Sequence, residues 1–147
     1  MLRFLAIYSK NREEWVVADF ACILTAITTV TLYDTLGKDS TEYILDQTTM
    51  KTIVCSADKV KNIVELKHQG KIPTLTHVIY FDEVKPVEID EIEANTSGLT
   101  LIRFKDALEE GSKISGIEWD PVTPDTLYTF CYTSGTTGLP KGVMLAH

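Results

Sequence analysis

Residues Tyr132-Thr133-Ser134-Gly135-Thr136-Thr137-Gly138-Leu139-Pro140-Lys141-Gly142 gather hydroxyls, glycines and a lysine into one short stretch of this 147-residue chain. Gly135, Gly138 and Gly142 allow the backbone to turn sharply and approach a ligand closely. Successive N–H groups in such a turn make a concave anion site. Thr133, Ser134, Thr136 and Thr137 add hydroxyl donors, and Lys141 adds a mobile point charge. The chemistry this suits is cradling a polyphosphate. The loop is not of Walker A type, which places Gly-Lys-Ser/Thr after its first glycine and feeds straight into a helix. Here Lys141 follows Pro140, which obstructs a helix at that point, and Gly142 to Ala146 reads as a short buried strand. The simpler alternative is a Gly/Thr-rich surface turn between two strands.

Other residues capable of chemistry are less organised. Cys22, Cys55 and Cys131 are far apart and lie in apolar segments, so they read as reduced core thiols. His68, His77 and His147 share no metal-ligand spacing, and no metal-ligating residue is assigned. His77 falls in an apolar run and reads as a hydrogen-bonded core histidine. His147 receives no role. Acidic residues crowd between Asp82 and Glu93, where Glu83, Glu88, Asp90, Glu91 and Glu93 read as a solvated loop rather than a metal site. The net charge is −7, from 14 basic and 21 acidic residues, and this argues against nucleic acid as a partner. The apolar run from Trp15 to Val30 contains Asp19 and three threonines; it is too short and too polar to span a bilayer. No secretory signal is evident before it.

The elements that must position the loop alternate along the chain. Trp15, Ala18, Ala21, Cys22, Thr25 and Ala26 recur near helical spacing and predict a helix from Glu13 to about Thr29, with Glu13 and Glu14 at its positive end. Thr29 to Tyr33 is a β-branched run, ended by a turn at Asp34–Gly37. Ser40 caps a second helix running to Gln47. Thr52 to Ser56 is a continuous apolar strand, the pattern of a strand covered on both faces. A third helix, Asp58 to His68, is stopped by Gln69-Gly70. His77 to Phe81 is a further buried strand. Glu83 to Ser97 is an irregular acidic connection, Phe104 to Glu110 a short helix stopped by Gly111, and Gly116 to Pro124 a loop. Thr126 to Tyr132 is the strand that delivers the phosphate loop. This alternation predicts an α/β fold: a partial doubly wound, mainly parallel sheet with helices on both faces.

At Tyr132 to Gly142 the chain resembles the signature phosphate loop of the adenylate-forming (AMP-binding) superfamily. Thr133, Ser134, Gly135, Thr136, Thr137, Gly138, Pro140, Lys141 and Gly142 all match its pattern. Ile7-Tyr8-Ser9-Lys10-Asn11-Arg12, then Glu14-Trp15, then Leu32-Tyr33-Asp34-Thr35-Leu36-Gly37 resemble long-chain acyl-CoA synthetases (long-chain fatty acid–CoA ligases) in order and spacing. The likeness runs from about Ala6 to His147. Thr31 departs from it, standing where the family usually has proline.

The resemblance implies a reaction in which ATP and a fatty acid carboxylate give acyl-adenylate and pyrophosphate, after which the thiol of coenzyme A displaces AMP. It implies Mg²⁺ alongside ATP. It assigns nucleotide binding to Thr133, Ser134, Gly135, Thr136, Thr137, Gly138 and Lys141, and no catalytic residue to this stretch. Residues 1–147 would be a fragment of the N-terminal adenylation domain, with the C-terminal domain absent and no turnover of its own. The adenine pocket, acyl tunnel and catalytic lysine of such enzymes lie beyond the phosphate loop. The full-length protein would bind long-chain fatty acid, ATP and CoA. Its place would be intracellular, cytoplasmic or peripheral to the endoplasmic reticulum or peroxisome membrane, with no transmembrane segment in this chain. Two other readings are another adenylate-forming ligase, of aryl- or medium-chain acyl-CoA type, and a non-catalytic nucleotide-binding or interaction protein.

Overall fold

Short apolar strands alternate with amphipathic helices along the chain, and the computed structural model, which describes residues 3–33, 38–82, 97–133 and 139–147, assembles them around one sheet. The elements are β1 (Phe4–Tyr8), α1 (Glu13–Leu24), β2 (Thr28–Leu32), α2 (Lys38–Gln47), β3 (Thr52–Cys55), α3 (Ala57–His68), β4 (His77–Tyr80), β5 (Thr100–Arg103), α4 (Phe104–Ser112), β6 (Leu127–Thr133) and β7 (Lys141–Ala146). The strand order is β5-β4-β3-β1-β2-β6-β7. Every neighbouring pair is parallel except β6–β7. The chain first steps from β1 to β2, then crosses back over β1 to β3 and outward to β5, which is the reversal of a doubly wound sheet. The expected fold class is therefore the observed one.

Alternation along each strand divides the core between two faces. Ala6, Tyr8, Ile53, Cys55, Val78 and Tyr80 pack with Ile44 and Leu45 of α2 and with Val60, Ile63 and Val64 of α3. Their neighbours Ile7, Val54 and Phe81 face the other way, onto Ala18 and Trp15 of α1 and Phe104 of α4. The first face holds most of the buried residues. On the second, α1 still shows Val16, Val17, Phe20 and Leu24 to solvent.

Several expectations need correction. β1 and β5 were not foreseen, yet β1 is the central strand. α1 ends at Leu24 and not near Thr29, because Ala26 adopts φ 48°. The Ile27 N–H then donates to Cys22 O and the Ala26 N–H to Ile23 O, which is a Schellman stop. α2 begins at Lys38, so Ser40 lies in its first turn, and α4 runs through Gly111 to Ser112. His77 is exposed, its Nδ1 2.8 Å from Thr76 Oγ1, so it is not a core histidine. Cys22 and Cys55 are buried but Cys131 only half so. Burial raises the Cys22 thiol to about 12 and the Cys55 thiol higher still. β7 is exposed along its whole length, contrary to the buried strand expected. It is the last strand of the sheet, and no described helix covers it. The turn at Asp34–Gly37 and the acidic stretch 83–93 lie outside the described residues.

The Schellman stop recurs at α2, where Met50 N–H reaches Leu45 O and Thr49 N–H reaches Asp46 O, with Thr49 at φ 47°. At α3 the same position is Gly70, at φ 70°. A β-branched residue in this region is strained by roughly 1–2 kcal/mol. Thr49 is exposed, so little contact is lost on trimming it. Thr49→Gly is expected to stabilise the fold by about 1 kcal/mol, read as a higher urea midpoint with unchanged slope.

Candidate functional site

Parallel strands carry their carboxyl ends to one edge of the sheet, which is where open α/β folds bind ligands. β6 runs parallel to β2, so it delivers Thr133 to that edge. β7 returns antiparallel, with Tyr132 opposite Gly142 and Thr133 opposite Lys141. β6 and β7 thus pair as a hairpin at the carboxyl edge of the sheet. Of the sequence-predicted site residues, Thr133 and Lys141 stand on its two stems, both exposed, and Thr133 Oγ1 donates to Lys141 O at 3.5 Å. Ser134, Gly135, Thr136, Thr137 and Gly138 lie outside the described residues. Pro140, next to Lys141, is buried.

The stems are anchored from both sides. On one face, Tyr132 is 4% exposed, and its hydroxyl donates to Gln47 Oε1 at 2.6 Å. Burial, then the neighbouring Tyr43, raises its pKa. Phe130 meets Phe4 edge-on at 5.2 Å. On the other face, Tyr128 donates its hydroxyl to Asp19 Oδ2 at 2.8 Å, and burial followed by that bond raises its pKa to about 12. His147 lies at the far end of the hairpin, where its N–H donates to Thr126 O at 3.1 Å. Six residues of strand separate it from the loop, about 20 Å at the usual rise, so the geometry gives it no part in the grip.

The segment Ile7 to Arg12 ends at the same edge of the sheet. Lys10, Asn11 and Arg12 line a crevice of about 360 Å³ with Ser56, Asp58 and Asp82. Arg12 is fully engaged there. It holds Glu14 through Nε and Nη2 at 2.7 and 2.8 Å and Asp82 through Nη1 at 2.7 Å, and its guanidinium sits over the Phe81 ring. Asp82 Oδ2 in turn accepts the Ala57 N–H at the start of α3. The Glu14 hydrogen bond leads in raising the Arg12 pKa, and the same bond leads in lowering that of Glu14 from 4.5. A carboxyl lowered on folding stabilises above its ordinary value and loses that contribution as the pH falls through its folded value. Arg12→Met is expected to flatten the loss of stability as the pH falls below the ordinary carboxyl value of 4.5, read from urea midpoints at a series of acidic pH values.

Gln47, Asp19 and Tyr128 are the site-supporting residues that sequence reasoning missed. Asp19 carried a signal, being a lone carboxylate in an apolar run. Gln47 carried none. Among the described residues, no group of three or more His, Cys, Asp or Glu side chains is placed to hold a metal ion, and no helix is long and apolar enough to cross a membrane.

Comparison with known proteins follows the same lines. A family model described as AMP-binding enzyme matches residues 3–147. The chain is 34% identical over 144 residues to fatty acyl-CoA synthetase B of Dictyostelium discoideum, covering 97% of this chain and 21% of that protein. It is 34% identical to long chain acyl-CoA synthetase 6, peroxisomal, of Arabidopsis thaliana, over 97% of this chain and 20% of that one. To long-chain-fatty-acid–CoA ligase 5 of Rattus norvegicus it is 33% identical, over 99% and 21%. The chain spans about a fifth of the length of these curated relatives. Among solved structures, the adenylation domain of a carboxylate reductase from Mycobacterium chelonae superposes with a TM-score of 0.83 at 21% identity, over 99% of this chain and 24% of that one. An anthranilate CoA ligase in complex with anthranoyl-AMP does so at 0.80 and 20%, over 99% and 25%. At those identities the structures speak for the fold alone. The family match over residues 3–147, set on a doubly wound sheet that ends in the β6–β7 hairpin, shows that this chain belongs to the AMP-binding enzymes.

Proposed function

We propose that the chain is part of the N-terminal adenylation domain of a long-chain fatty acid–CoA ligase, and that Thr133 to Gly138 together with Lys141 hold the β- and γ-phosphates of ATP. The observation that carries this reading is the register of the hairpin. It sets Lys141 beside Thr133 at the carboxyl end of a parallel sheet, so one cation and one hydroxyl flank the span of glycines and hydroxyls between them. These donor types suit a polyphosphate. Mg²⁺ would accompany the nucleotide, since hard phosphate oxygens favour a hard cation, and no described residue is assigned to it. The long-chain preference rests on the Leu32–Gly37 segment and on the names of the curated relatives.

The reaction asks for electrostatics and alignment more than for covalent help from the protein. A carboxylate oxygen bonds to the α-phosphorus as the bond to the bridging oxygen of pyrophosphate breaks, and negative charge collects on the leaving group. Fixed N–H groups, hydroxyls and the Lys141 ammonium would meet that charge where it grows. The rest of the chemistry, including acyl binding and transfer to coenzyme A, is assigned to no residue of this chain. The setting would be intracellular, in the cytoplasm or on the periphery of the peroxisomal or endoplasmic reticulum membrane.

A polypeptide extended to the length of the curated relatives tests the reading. With ATP, Mg²⁺, palmitate and coenzyme A it should release palmitoyl-CoA, AMP and pyrophosphate, and an aromatic acid in place of palmitate should give far less product. Turnover of aromatic acids alone would move the protein to another branch. Failure to bind ATP at all would leave the interaction-module reading.

A further inference from the structure

Glycine inside a strand weakens it and often marks a place where another group comes close. Gly142 is such a place. A Cβ built there would stand 3.1 Å from Tyr132 Cζ and 3.3 and 3.4 Å from the two Cε atoms. The Tyr132 ring therefore occupies the side-chain space that Gly142 leaves open, directly across the ladder.

The other end of that ring is fixed as well. Its hydroxyl donates to Gln47 Oε1 at 2.6 Å, and Gln47 Nε2 donates to the Tyr43 hydroxyl at 3.0 Å. Both partners belong to α2, which Ile44 and Leu45 seat in the core with almost no exposure. An unbroken path of contacts thus runs from the core through α2, Gln47 and Tyr132 to Gly142, one residue from Lys141. Tyr132 is also the residue immediately before Thr133. One aromatic ring therefore touches both stems of the phosphate loop at the point where each enters it. A phenylalanine would fill the same space; only a tyrosine also ties the ring to α2.

We infer that Tyr132, held by Gln47, is a positioning residue for the polyphosphate grip: the ring fixes where β7 starts, and hence where Lys141 meets the nucleotide. This rests on the phosphate-loop reading above. Tyr132 touches no reacting atom itself. Gly142 is part of the same device, because any side chain there displaces the ring.

The test is a titration with MgATP of a polypeptide extended to the length of the curated relatives, alongside thermal unfolding of each variant. Tyr132→Phe keeps the ring and removes the hydroxyl; Gln47→Met keeps the length and removes the acceptor. Each is expected to weaken MgATP binding about three- to tenfold, the scale of one hydrogen bond. The double variant should be no weaker than either single one, since both cut the same link. Gly142→Ala should weaken binding at least as much. Ile63→Val, in α3 and outside the Tyr132–Gln47–Tyr43 chain of hydrogen bonds, is expected to lower the melting temperature with no change in affinity. If Lys141→Ala weakens binding while Tyr132→Phe and Gln47→Met bind as the parent does, the inference falls and the loop reading stands. Losses that add in the double variant, or that simply track melting temperature as Ile63→Val does, also overturn it. If Lys141→Ala binds MgATP as the parent does, the loop reading fails and this inference goes with it.

Discussion

Lys141→Ala is expected to slow adenylation about 10²–10³-fold in a polypeptide extended to the length of the relatives, by analogy with loss of one oxyanion-hole donor. Lys141 is exposed on the loop's second stem, opposite Thr133, so on the proposed reading its ammonium would approach the phosphates from the side where β7 begins. Charge on the bridging oxygen and the β-phosphate is greater in the transition state than in bound ATP. A cation placed there therefore stabilises the former more, and kcat should fall by a larger factor than KM for ATP rises. Thr137→Ala should follow the same pattern for the same reason. ATP–pyrophosphate exchange with palmitate isolates this half-reaction from thioester formation. Exchange at the parental rate in both variants would remove the loop from the chemistry.

The second large effect is on stability. Ile7 lies in the central strand, is fully buried, and belongs to the thinner of the two core faces with Val54, Phe81 and Ala18. Ile7→Ala removes most of a buried side chain where the neighbouring helix has little else to settle onto. The expected cost is about 2–5 kcal/mol, the range for such truncations with their residual cavity. For a chain of this size about 3 kcal/mol corresponds to a melting temperature lower by roughly 6–12 °C. Phe20→Ala on α1 should stay within about 0.5 kcal/mol, because Phe20 is 59% exposed. Equal losses at the two positions would mean that the outer face of α1 is covered in solution.

How much of this was legible beforehand depended on how local the cause was. The strands at Thr52–Cys55 and His77–Tyr80 announced themselves because both of their faces are needed by the core, leaving unbroken apolar runs. α3 was bounded correctly at its carboxyl end because Gly70 marks the left-handed residue that stops it. α1 was extended too far because Ala26 holds the equivalent position, and alanine announces a helix rather than its end. β1 was missed because Phe4–Tyr8 is brief and follows directly on Met1-Leu2-Arg3, with no turn residue to set it off. β5, Thr100–Arg103, buries so little that its pattern hardly alternates. The position of a Gly/Thr-rich connection between two strands was readable from residue type alone, and the pairing of Thr133 with Lys141 follows once those strands flank it. Its anchorage was not readable. Gln47 is bonded to a tyrosine 85 positions away, and nothing in a helix sequence marks one exposed glutamine as the partner.

The strand order also sets a timetable for synthesis. β1, β2 and β3 lie side by side in the sheet, and all three fall between Phe4 and Cys55, so they leave the ribosome close together and this kernel can close early. β6, which must lie against β2, arrives about a hundred residues after it. Until then one flank of β2 waits unpaired, with its backbone donors and acceptors open to any passing strand. The sequence there is Thr28-Thr29-Val30-Thr31, β-branched enough to hold an extended shape while three hydroxyls keep the waiting strand less adhesive than valines would. Thr31 gives the clearest sign of that compromise. In the folded sheet its hydroxyl is buried with no hydrogen-bond partner among the described residues, a cost to the native state that a valine there would not carry.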